Sequence, residues 1–124
     1  MATSNSSDSS RAEAWRAGAS VYSGREDPEW DIDEGLAHRL LGLWERLKPW
    51  AGKPPKPPGL GYRGVFVSFG DGARFVVYGG AVWFESRGKI LIRRDPGRRF
   101  ERLILESAPS DTLPPFVAAE LSRG

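Results

Sequence analysis

Residues 62–94 read YRGVFVSFGDGARFVVYGGAVWFESRGKILIRR, and this stretch decides the fold. Runs rich in Val, Ile, Phe, Tyr and Trp are interrupted at Gly70-Asp71-Gly72, Gly79-Gly80 and Arg87-Gly88. Short glycine-bearing interruptions between such runs are hairpin turns. The stretch therefore predicts four strands, about Tyr62 to Phe69, Arg74 to Tyr78, Ala81 to Ser86 and Lys89 to Arg93. Short connections make consecutive strands neighbours, which gives an antiparallel meander.

Successive side chains on a strand point to opposite faces. One predicted face carries Val65, Val67, Phe69, Phe75, Val77, Val82, Phe84, Ile90 and Ile92, and is read as the core face. The other carries Tyr62, Phe66, Ser68, Arg74, Val76, Tyr78, Trp83, Glu85, Leu91 and Arg93, mixing aromatic rings with arginines. Both faces hold apolar residues, so both call for cover, from this chain or from a partner.

Upstream, Leu36, Leu40, Leu43, Trp44 and Leu47 recur at helical spacing and predict a helix over 28–48. Asp27 suits its cap with Pro28 in the first turn, and Asp31 with Glu34 offers a second start. Pro49 stops it. Residues 49–61 contain Lys53-Pro54-Pro55-Lys56-Pro57-Pro58, a stiff connector. Downstream, Asp95-Pro96-Gly97 ends the sheet, and residues 98–122 hold two short helices, with Phe100, Leu103 and Ile104 on one side of the first. Residues 1–26 are polar, with scattered Ser, Gly and Ala, and read as a disordered tail whose removal leaves stability unchanged. The expected organisation is thus a tail followed by a single α+β domain over 27–124. A four-stranded antiparallel meander follows one long helix and precedes two short ones.

Composition narrows the function classes. The 124 residues include no cysteine, which excludes disulfides and thiolate sites and fits a cytoplasmic setting. No run is long and apolar enough for a membrane span, and the serine-rich start lacks the apolar core of a secretory signal. Arginine outnumbers lysine and Gly, Ala and Pro abound, a usage that points to a GC-rich bacterial genome. The net charge of +2 hides an asymmetry. Residues 26–34 hold six carboxylates and no base, whereas residues 87–102 hold seven bases and two acids.

Several motifs dissolve on inspection of their context. Gly59-Leu60-Gly61-Tyr62-Arg63-Gly64 fits the dinucleotide pattern, but a proline run precedes it and a strand follows, so no helix N-terminus would meet a pyrophosphate. Asp31-Ile32-Asp33 resembles a metal-binding acidic pair, yet more simply complements a helix dipole. His38, the lone histidine, sits four residues after Glu34 without a nucleophile or a metal partner. The proline run satisfies P-x-x-P, but serves a folded domain equally well as a spacer. Neither a cofactor nor a metal site is expected.

The remaining candidate is the basic run. Arg93, Arg94, Arg98, Arg99 and Arg102 join a strand end to a helix start, where guanidinium groups could converge on carboxylates or phosphates. Tyr62, Tyr78 and Trp83, beside Arg74, extend that surface. Two competing readings have the arginines solvated or paired with the acidic stretch, and the aromatic face covered by the 28–48 helix. The sequence thus predicts a small non-catalytic module that binds another protein through an Arg/aromatic surface, the residue types that binding hot spots favour. The alternative is nucleic-acid binding through the same face and residues 87–102.

Overall fold

The computed structural model describes residues 14–122, and it is α+β, with one antiparallel sheet and a few helices. The sheet has six strands rather than four. They are β1 (Trp15–Ala19), β2 (Glu29–Ile32), β3 (Val65–Phe69), β4 (Ala73–Tyr78), β5 (Ala81–Ser86) and β6 (Lys89–Arg94), in the spatial order β2-β1-β3-β4-β5-β6. Three α-helices accompany it: α1 (Glu34–Arg46), α2 (Arg99–Glu106), entered through a 3-10 turn at Pro96–Arg98, and α3 (Pro115–Ser122).

The expected meander is present as β3 to β6, and its turns explain its register. Gly79 and Gly80 both have positive φ and join Tyr78 to Ala81 directly; Arg87 and Gly88 do the same between Ser86 and Lys89. Two-residue loops of this kind match the right-handed twist of the flanking strands.

Two strands lie where none was expected. Residues 15–19, assigned to the tail, form β1, which pairs with both β2 and β3. Ala17 and Ala19 are fully buried there. Gly18 faces Phe66 so closely that a Cβ would lie 2.2 Å from its ring. Small side chains let β1 run beneath larger neighbours, which is why it carries so little strand signal of its own. The first thirteen residues of the expected tail lie outside the described residues. The start of the expected 28–48 helix is also corrected. Glu29–Ile32 is the edge strand β2, burying Trp30 and Ile32 and exposing Glu29 and Asp31. The helix begins later because Asp33, not Asp27 or Asp31, caps it, its carboxylate accepting from the Leu36 N–H at 2.8 Å.

All three helices contribute to one core cluster on one side of the sheet. From α1 come Ala37, Leu40 and Trp44, from α2 Phe100, Ile104 and Leu105, and from α3 Val117. Phe75 is the hub. Its ring centroid lies 5.0 Å from that of Phe100, 5.4 Å from Trp44, 5.2 Å from Phe84 and 5.4 Å from Phe69. Aromatic pairs at such separations add to the burial they already contribute.

The connector after α1 starts as a fragment of strand. Pro49 bridges Arg93, the Trp50 N–H donates to the Ile92 carbonyl, and the Arg94 N–H donates to the Lys48 carbonyl. The chain then leaves the β6 edge and passes the β4–β5 turn, where a Cβ on Gly79 would lie 3.3 Å from Pro55. It re-enters at Gly64, whose φ of 108° and approach to the Val77 carbonyl leave no room for a side chain.

Candidate functional site

Cross-strand partners share a face, so the register defines both surfaces of the sheet. On the side away from the helices, one row runs Gly18, Phe66, Val76, Trp83, Ile92. A neighbouring row runs Asp31, Arg16, Ser68, Arg74, Glu85, Ile90. Apart from Gly18, the first row is wholly apolar and its side chains are half-buried; Ile90, beside it, is 58% exposed. Among the described residues no helix crosses this face.

The second row is charge-balanced. Arg16 donates to Asp31 at 2.8 Å and to Glu29 at 3.3 Å, and Arg74 lies 3.9 Å from Glu85. The Asp31 hydrogen bond, followed by Glu29, raises the Arg16 pKa. The Arg74 guanidinium also sits 5.5 Å from the Phe66 ring, within cation–π reach.

Two strand assignments on this face need correction. Ile90 and Ile92, expected in the core, point outward, while Leu91 and Arg93, expected outside, lie on the helix side. The turn at Arg87-Gly88 causes this. It pairs Ser86 with Lys89, so an even-numbered residue on β5 faces an odd-numbered one on β6, and Phe84 meets Leu91 while Val82 meets Arg93.

The nine residues expected to form one binding surface are dispersed. Arg74 and Trp83 do share the outer face, with Arg94 at its β6 edge, where its guanidinium lies 5.4 Å from the Trp50 ring. Tyr78 is half-buried, its ring centroid 6.3 Å from that of Tyr62. Arg93 faces α1, donating to the Trp44 carbonyl at 2.8 Å with its guanidinium 4.3 Å above the Trp44 ring. Arg102 donates to the Gly97 carbonyl at 3.4 Å. Arg99 is exposed beside α1.

Tyr62 and Arg98 are interior groups. Tyr62 is buried, and its hydroxyl donates to Glu101, which is itself fully buried. Arg98 completes a fork on the same carboxylate with two bonds of 2.9 Å, and also reaches α3 near Glu120. Burial and the adjacent Glu101 charge hold the Tyr62 phenol well above its ordinary pKa, and the Glu101 hydrogen bonds raise that of Arg98. Asp95, also buried, accepts from the Phe100 N–H at 2.7 Å and the Glu101 N–H at 3.1 Å. Burial pushes its carboxyl upward against those two donors. This network ties the start of α2 to the segment entering β3 and to α3, and removing either partner of a buried ion pair of this kind is strongly destabilising.

The acidic stretch is occupied locally. Asp27 accepts from the Val21 and Tyr22 N–H groups, Asp33 caps α1, and Glu29 and Asp31 hold Arg16. None of these bonds reaches residues 87–102. His38 is exposed and makes no ion pair with Glu34. The glycine-rich 59–64 segment leads into β3 and not into a helix.

Ile90 and Ile92 thus belong to the outer face, where the sequence reading does not place them, whereas Phe66 and Val76 lie on the face it expects. The parity change across the 87–88 turn was the available signal for the two isoleucines. No helix among the described residues is long and apolar enough to cross a membrane. No family model matches the chain, and no curated protein or solved structure shows significant similarity to it.

Proposed function

We propose that this chain is a small, non-catalytic protein-binding module whose contact surface is the outer face of its sheet. The observation that supports this is the uncovered row Phe66, Val76, Trp83, Ile92, continued at the edge by Ile90. An antiparallel sheet with one solvated face ordinarily shows polar residues there. A contiguous apolar patch rimmed by charge instead marks an interaction site. The rim pairs Arg16 with two acids and Arg74 with one, so the surface offers balanced charges for register rather than a positive field.

Nucleic-acid binding is the weaker reading. It requires the basic run to present a continuous row of cations, yet Arg93 and Arg98 are engaged within the fold. The test uses the chain as bait in lysate of its source organism, beside Trp83→Asp. A partner captured by the parent and lost by the variant, at equal melting temperature, is the expected result. A parallel fluorescence titration with single- and double-stranded DNA and RNA should give no saturable quenching at physiological salt. Saturable, salt-sensitive quenching, or a partner retained by Trp83→Asp, would overturn the proposal.

A further inference from the structure

On the opposite side of the molecule, α1 and α2 enclose a groove of about 460 Å³. Its walls carry three arginines: Arg39 and Arg46 from α1 and Arg99 from the first turn of α2. None of the three makes an ion pair or a side-chain hydrogen bond with another described residue. Asp95 also lines the groove, but its carboxylate is buried and accepts from two backbone N–H groups. Three arginines thus line one concavity with no ion pair to a described residue, while the arginines of β6 and the 3-10 turn find partners nearby.

Spacing determines what fits. Arg39 and Arg46 are two helical turns apart, about 10 Å along the axis. Two anionic groups, one over each arginine, match that spacing. Between them the floor is apolar, formed by Gly42, Leu43 and Leu47 with Leu103 opposite. A nucleic-acid strand would lay charge over that floor, and no aromatic ring lines the groove for a base to stack on. An extended polypeptide fits better: residues i, i+2 and i+4 of a strand share one face, so an apolar side chain at i+2 meets the floor while carboxylates at i and i+4, about 13 Å apart, reach the arginines on either side.

We propose that this groove docks an extended acidic segment of another protein, with two carboxylates four residues apart on one face and an apolar residue midway between them. The inference goes beyond the sheet-face reading and is independent of it, since the two surfaces lie on opposite sides of the sheet.

The test is an amide-resolved NMR titration of the full chain at physiological salt. The probe is a twelve-residue peptide repeating Glu-Ser-Leu-Ser, which puts Glu and Leu alternately on one face of an extended chain, compared with its Gln analogue and with a twelve-nucleotide oligothymidine. Saturable shifts should centre on Arg39, Gly42, Leu43 and Arg99. The Gln peptide should bind at least tenfold more weakly. Arg39→Glu with Arg46→Glu should lose at least tenfold, and Trp83→Asp should lose nothing. Should the charge reversal lower the melting temperature, Arg99→Gln on the other wall should still weaken the peptide severalfold. Absence of saturable shifts, equal binding by the double variant, or oligothymidine binding as tightly as the peptide would each overturn the proposal.

Discussion

Phe75 on β4 and Trp83 on β5 are one residue out of register and point to opposite faces of the same sheet. Phe75 is fully enclosed by Trp15, Trp44, Phe69, Phe84 and Phe100; Trp83 sits half-buried between Val76 and Ile92 with no helix over it. The two faces are built from similar residues, and the supply of helical apolar stripes separates them. α1 and α2 each bury one apolar stripe and α3 adds Val117, all to the same cluster. Alternating apolar residues therefore show that a strand has two demanding faces, but not which face the chain itself covers.

The strongest way to break this comparison is to remove the strand on which both faces depend. Deleting residues 1–19 removes β1, leaving β2 without its only sheet neighbour among the described residues and opening the edge of β3. The truncated chain is expected to lose cooperative thermal unfolding and dispersed amide resonances. A melting temperature within a few degrees of the parent would show that β1 is dispensable, as a disordered tail would be.

Next comes the covered face. Phe75→Ala empties the centre of the aromatic cluster and should cost about 3–5 kcal/mol, read as a shifted midpoint in chemical denaturation. A loss near 1 kcal/mol would mean that the helices do not pack on this face as a core.

These two experiments also bear on what the sequence could reveal. The meander was legible because its signals are local: three short turns and dense β-branched and aromatic runs. β1 was not, because Ala17, Gly18 and Ala19 are poor strand formers alone and become strand through pairing on both sides. β2 did carry a period-two signal, with Trp30 and Ile32 buried between exposed Glu29 and Asp31. It was masked by Asp27-Pro28, which resembles a helix start, whereas Asp27 in fact holds the backbone of Val21 and Tyr22. The candidate surface was half legible. Arg74 and Trp83 share the outer face, but Tyr62 and Arg98, expected at the surface, are interior. Their burial depends on Glu101, a carboxylate that no local pattern marks as interior.

The smallest expected effect on stability falls on the outer face and sharpens the comparison most. Trp83→Ala should cost only about 1 kcal/mol, because a half-buried ring forfeits part of its transfer energy and leaves no enclosed cavity. Measured beside Phe75→Ala in the same denaturant series, the two losses should differ by severalfold. Two aromatic residues on adjacent strands, removed by the same chemistry, would then report the presence and absence of a helical layer. A Trp83→Ala loss of about 3–5 kcal/mol would instead mean that another segment of the chain covers this face in solution, and the row Phe66, Val76, Trp83, Ile92 would be a second core layer rather than a contact surface. A small loss of stability together with a lost partner is the combination that a binding face requires, since a residue that serves recognition contributes to the complex more than to the fold.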